Sequence, residues 1–135
     1  MISTRGRYAL RFLTDVAQHQ RDGFVPLRDV AARQEISEKY LEIVVKELVK
    51  GGLLNAVRGK GGGYLLTRRP SEYSIGEIIE LTEGPIACVA CRLPDAERCP
   101  RKESCITLPL WEKYDALVHD FFFQISLEDL INGNI

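Results

Sequence analysis

Apolar positions in the first half of the chain recur in helical steps. In "YALRFLTDVAQHQ", Ala9, Phe12, Leu13, Val16 and Ala17 fall at i, i+3, i+4, i+7 and i+8, one stripe of an amphipathic helix that Asp22-Gly23 breaks. After Pro26, "LRDVAARQEIS" gives a short helix with Leu27, Val30 and Ala31 turned inward. Ser37 is placed to cap a third helix, because its hydroxyl can accept from an unpaired backbone N–H. That helix, "EKYLEIVVKELVKGG", repeats the spacing with Leu41, Val44, Val45, Leu48 and Val49 until Gly51-Gly52 end it. Two short helices joined by a few residues, the second polar on its outer face, describe a helix-turn-helix.

The pattern then changes. "LLNAVRGKGGGYLLTR" reads as strands at 53–57 and 64–67 around a turn of Arg58, Gly59, Lys60 and three further glycines. A basic-tipped hairpin directly after a helix-turn-helix is a wing, with Arg58 set to enter a minor groove. A phosphate-cradling loop would need Ser or Thr after Lys60, where Gly61 stands, and a dinucleotide loop would need glycine at Tyr64. "SIGEIIELTEGP" has Ser74 and Glu77 in capping-box register and buries Ile75, Ile78 and Ile79 before Gly84-Pro85. From Thr107 a long helix is expected, with Trp111, Tyr114, Val118, Phe121 and Ile125 forming a coiled-coil seam. So many aromatics exceed what a small wing domain covers, which predicts a dimer interface. Ser126 caps a last short helix, "LEDLI".

The expected fold is therefore mainly α: a winged helix-turn-helix DNA-binding domain with a two-stranded wing, plus a long C-terminal dimerisation helix. Three segments are expected: the DNA-binding domain at 1–84, a cysteine-rich loop at 85–106, and the dimerisation helix with a final short helix at 107–135.

Composition adds one point. The 135 residues are 45% hydrophobic and 27% charged, as in soluble globular domains. No apolar run approaches the ~20 residues of a membrane span, and no secretion signal is visible. A cytoplasmic location without membrane contact is expected. The net charge of −1 hides an asymmetry. Residues 1–70 carry thirteen Lys/Arg against seven Asp/Glu, net +6, and residues 71–135 carry five against twelve, net −7. A basic front half suits a polyanion partner.

All four cysteines lie within the eighteen residues "CVACRLPDAERCPRKESC". In a reducing compartment a disulfide framework is the weaker reading of such a cluster.

"TRGRYALRFL", "ISEKYLE", "VRGKGGGYLL" and "LTEGP", with the cysteine loop, resemble the Rrf-type family of bacterial winged-helix transcription regulators. Its branches are typified by IscR, NsrR, RirA and CymR, and the likeness spans nearly the whole chain. The resemblance implies a homodimer on a roughly palindromic double-stranded operator. It puts Ser37, Lys39, Tyr40 and Glu42 at the start of the recognition helix and Arg58 at the wing tip, beside Gly59 and Lys60. Glu42 would discriminate sequences by accepting from a cytosine amino group, or else is a solvated helix charge. Arg5, Arg7, Lys46 and Lys60 would be phosphate contacts.

In the cluster-binding branches three cysteines of this loop ligate an iron–sulfur cluster; Cys91, Cys99 and Cys105 match them. Leu108 stands where IscR-like members have a ligating histidine, and the N-terminal aspartate of NsrR-like members is not evident. The fourth ligand, and the choice between 2Fe–2S and 4Fe–4S, stay open. Cys88 is the substitute the sequence offers, three positions before Cys91 in a Cys-x2-Cys spacing, and four thiolates are the commonest cluster coordination. Arg92, Arg98, Arg101 and Lys102 would offset the negative charge. Structural zinc prefers two close cysteine pairs and fits poorly, a thiol–disulfide switch through Cys88 and Cys91 remains, and Cys88 alone is otherwise an apolar filler.

The resemblance makes a repressor the default, responsive to iron, redox or nitric oxide status. A cofactor-free or thiol-based regulator of cysteine metabolism is the runner-up, and a small iron–sulfur electron carrier leaves the wing unexplained. An enzyme is not expected, because His19 and His119 are the only histidines and no catalytic constellation accompanies them.

Overall fold

A computed structural model describes residues 1–135. Its central element is α1 (Thr4–His19), whose apolar stripe of Ala9, Phe12, Leu13 and Val16 is fully buried. Ser3 caps α1 by accepting from the Arg5 N–H. Around α1 pack α2 (Leu27–Gln34), α3 (Glu38–Lys50), α4 (Ile75–Glu83), the wing, and the last helix α6 (Leu127–Asn132). Leu127 of α6 is fully buried in the same core as the stripes of α1 to α4.

Residues 35–37 join α2 to α3. Glu35 adopts φ +54° there, a left-handed turn that ends α2 and redirects the chain. The angle between the helices is fixed below by Asp15 of α1, a buried carboxylate. Arg33 reaches both its oxygens from Nε at 3.1 Å, and Gln34 donates to Oδ2 at 2.8 Å. A buried charge is tolerable only when paired and hydrogen-bonded in this way. The hydrogen bonds to Asp15 also push the Arg33 guanidinium pKa further up. The group is structural.

The wing strands are β1 (Leu54–Val57) and β2 (Gly63–Leu66), paired antiparallel with Leu54 opposite Leu66. Both strands stop one residue short of the expected outer end, and β2 starts one residue earlier, at Gly63. Leu53 still belongs to the helix end, its N–H donating to the Leu48 carbonyl, and the Thr67 N–H donates to the Tyr73 hydroxyl. The wing is fastened to the body by a bridge between Val25 and Tyr64. This needs glycine at 63: φ is +146°, and a Cβ would lie 2.4 Å from the Val25 carbonyl oxygen.

Ser74 caps α4 through the Glu77 N–H, but only half of the expected capping box forms. The Glu77 carboxylate pairs instead with Arg68 at 2.6 Å, tying the wing exit to α4.

The long helix α5 (Leu108–Gln124) begins where expected and ends one residue before Ile125. Ile125 is therefore not part of a seam. It is extended, its carbonyl accepts from the Ile75 N–H, and its side chain packs on the core. Trp111 and Val118 are also half-buried. The stripe that α5 presents to solvent is rotated from the expected seam: Leu110, Tyr114, Leu117 and Phe121 are 60, 52, 63 and 60% exposed. On its inner side α5 approaches α4 closely, for a Cβ on Gly76 would lie 2.2 Å from the Phe123 ring.

Candidate nucleic-acid interface and cysteine loop

Between α3 and the wing runs an open groove of about 640 Å³. Arg28, Lys46, Lys50 and Arg58 line it, and no carboxylate does. Four cations converging on one concave surface make an anion-binding site by electrostatics alone. Arg58, Gly59 and Lys60 form the exposed wing tip. Lys39, Glu42 and Lys46 stand exposed along α3.

The other expected contact residues have structural work as well. The Ser37 Oγ accepts from the Tyr40 N–H at 3.2 Å and so starts α3. The Tyr40 ring is half-buried and meets the Tyr8 ring edge-on at 5.4 Å, fixing α3 on α1. Arg5 pairs with Glu47 of α3 at 3.3 Å, and Arg7 donates to the Thr4 hydroxyl at 3.1 Å. Arg28 and Lys50 are groove residues that sequence reasoning missed. Lys50 carried a signal, lying one turn beyond Lys46 on α3; Arg28 carried none beyond its charge.

The cysteine loop divides its thiols. Cys91, Cys99 and Cys105 line one cavity of about 330 Å³, together with Arg92, Arg98 and Lys102. Leu108 also lines this cavity. Cys88 lies elsewhere: its N–H donates to Asp115 Oδ1 at 2.9 Å, and its Sγ is 3.9 Å from the Trp111 carbonyl. It lines an apolar cavity with Met1, Ile2 and the exposed face of α5. Val89 is extended and residues 90–92 form a 3-10 turn, which separates Cys88 from Cys91 despite their spacing. No three His, Cys, Asp or Glu side chains are drawn close enough to hold a metal ion in this arrangement.

The two ends of the loop differ in acidity. Partial desolvation and the Asp115 carboxylate push the Cys88 thiol pKa up. A hydrogen bond from the Thr107 hydroxyl, at 3.4 Å, draws the Cys105 thiol pKa down, with Arg101 assisting. Asp115 also accepts from Arg92 Nε at 3.1 Å, and Arg92 reaches Glu112 at 3.4 Å. Partial burial works against the Asp115 carboxylate's charge, but the Cys88 N–H and Arg92 outweigh it and hold its pKa below the usual range. The start of the loop is thus latched to α5.

Residues 2–133 match the family model described as Rrf2, iron-dependent transcriptional regulator. The chain belongs to the Rrf2 family. The transcriptional regulator IscR of Pectobacterium atrosepticum is 37% identical over 132 residues, 98% of this chain and 79% of that protein. Two solved Rrf2-like structures superpose well. CymR, the global cysteine regulator of B. subtilis, has a TM-score of 0.79 at 35% identity, covering 98% of this chain and 96% of that one. T. potens IscR has 0.78 at 32%, covering 100% and 88%. This Rrf2 protein is a DNA-binding transcription regulator with a winged-helix fold, and its relatives are regulators, not enzymes. No helix is long and apolar enough to cross a membrane.

Proposed function

We propose that the protein is a homodimeric repressor whose hold on its operator is set by an iron–sulfur cluster ligated by Cys91, Cys99 and Cys105. The observation that carries this reading is that those three thiols line one cavity, not yet within ligating reach of one another, whose charged lining is three cations against the single carboxylate of Glu97. The donor set suits a thiolate-held cluster, and Arg92, Arg98 and Lys102 suit its negative charge. When bound, the cluster would supply a centre that oxygen, nitric oxide or iron shortage alters. Cys88 is set apart from the trio, so the fourth ligand must come from another group or from movement of the loop.

Dimerisation is supported by the exposed stripe of α5 and the apolar cavity continuous with it, where Tyr114, Leu117 and Phe121 face Met1, Ile2 and Ile86. In a dimer each groove would receive one half-site, with Lys39, Glu42 and Lys46 of α3 in the major groove and Arg58, Gly59 and Lys60 of the wing in the minor groove. Ser37, Tyr40, Arg5 and Arg7 would orient α3 while contacting the backbone. The coupling route runs from the loop through the Asp115–Arg92 latch to α5, and from Phe123 to Gly76 of α4. A few kcal/mol of difference between loop states, transmitted this way, suffices to switch occupancy.

The test is anaerobic purification with an absorbance spectrum and iron and sulfide analysis. Wild-type protein should be coloured and carry both elements. Cys91→Ser, Cys99→Ser and Cys105→Ser should each lose most of the iron, whereas Cys88→Ala should keep it. A colourless, iron-free wild type would sink the cluster and favour the runner-up, a thiol-based regulator. The likeness to CymR and the separation of Cys88 from the trio favour that second reading.

A further inference from the structure

The outer face of α3 holds an anomaly. Six of its residues are exposed: Glu38, Lys39, Glu42, Ile43, Lys46 and Lys50. Five are charged, and the sixth, Ile43, leaves 52% of its surface in water. With 3.6 residues per turn, Lys39, Ile43, Lys46 and Lys50 fall within about 60° of one another around the helix. The isoleucine therefore sits in a row of lysines, between Lys39 one turn before and Lys46 one turn after.

Its own fold makes no use of it. Ile43 belongs neither to the buried core nor to the partly buried residues packed on that core. Isoleucine is also a poorer helix former than the straight-chain residues that suit an exposed position. Two of the lysines in its row, Lys46 and Lys50, line the cationic groove, so the side chain stands on the face that the operator-binding reading turns toward DNA. A β-branched side chain holds few rotamers in a helix and presents its methyl groups at a fixed place.

Base edges in the major groove offer an aliphatic side chain one apolar partner, the C5-methyl group of thymine. We propose that Ile43 is a specificity-determining residue that reads a thymine methyl in each half-site. The assignment deepens the operator-binding reading and rests on it. The flanking lysines supply phosphate affinity without sequence preference, so the apolar contact adds discrimination rather than general grip.

The test begins with the full chain and a pool of random duplexes, from which wild-type protein selects its preferred site. Each thymine of that site is then replaced by deoxyuridine, which lacks only the methyl group. At one thymine per half-site, the replacement should weaken wild-type binding about four-fold, the loss expected for one methyl group's worth of apolar contact. Ile43→Ala should bind the unmodified site about four-fold more weakly, and it should no longer distinguish thymine from uracil at that position. Because the side chain is exposed and alanine favours helix, this variant should fold as the wild type does. Sequence-specific binding indifferent to every uracil would overturn the assignment. So would an Ile43→Ala variant that keeps its sensitivity at the same thymine. Failure of the wild type to enrich any sequence would overturn the operator-binding reading itself, together with this assignment.

Discussion

Helices α1 and α5 are nearly equal in length, sixteen and seventeen residues, and are built on opposite terms. α1 buries six residues and packs against α2, α3, α4, α6 and β2, whereas α5 buries none and shows four large apolar side chains to water. The first completes a core within one chain. The second has half its apolar surface uncovered, which is how an element looks when a second copy completes it. The proposed reading and sensing roles would be divided along the same line. The cationic groove stands on the self-sufficient core, and the thiols hang from the incomplete arm by the latch at Asp115. On the proposed dimer, a stable reader joined to an arm completed by its partner could be regulated without unfolding.

Four substitutions test this division, in descending order of effect. Leu13→Ala, at a fully buried position of α1, should cost about 3 kcal/mol in denaturant unfolding, the usual range for a buried leucine. A loss below 1 kcal/mol would mean that the core is not the stable half. Leu117→Arg should leave the fold intact but place a charge in the proposed dimer interface. Sedimentation should shift from dimer to monomer, and operator affinity should fall roughly 100-fold, about 3 kcal/mol. An unchanged dimer would show that this face of α5 is not the interface.

Asp115→Ala should release the loop without unfolding the body. Amide exchange at Cys88 should quicken about ten-fold, as expected for the loss of a hydrogen bond to a charged acceptor. Unaltered exchange there would remove the latch from the coupling route.

Glu83→Gln should have the smallest effect, about 1 kcal/mol, similar to losing a helix cap. The Glu83 carboxylate accepts from the Ser3 and Gly6 N–H groups at the start of α1. Partial burial opposes its charge, but these bonds and the Ser3 hydroxyl hold its pKa below the ordinary value of 4.5. Its contribution is present in full above that value and is lost as pH falls through the lowered folded pKa. Thermal melts of wild type and variant should therefore differ at neutral pH and converge in acid.

The core was legible because each of its helices has one apolar face. In α1 and α3 the stripes at i, i+3, i+4 and i+7 are bounded by charges, so the pattern names the buried residues directly. The wing was legible because a glycine run between alternating strands admits few conformations, and Gly63 lies against the backbone of Val25 as such a run allows. α5 was not legible in the same way. Leu110, Trp111, Tyr114, Leu117, Val118, Phe121, Phe122 and Phe123 surround most of the helix, so periodicity alone cannot say which residues face inward. The body decides: it takes Trp111, Val118, Phe122 and Phe123, and leaves Leu110 and Leu117, which the expected seam omitted.

The arrangement of the cysteines was hidden for a similar reason. Cys88 and Cys91 are close in sequence, but a bend and a 3-10 turn send them to different cavities, and spacing carries no sign of that turn. Ile43 was passed over because a single surface aliphatic is ordinary until its charged neighbours are known to line a groove.

Operator affinity of one anaerobic preparation, measured before and after the cluster is removed by a chelator in the absence of air, addresses the coupling most directly. Loss of iron and sulfide should shift the dissociation constant at least ten-fold in wild type and leave Cys99→Ser, already depleted, unmoved. Equal affinity before and after removal would contradict the claim that the thiol-lined cavity governs the grip on DNA.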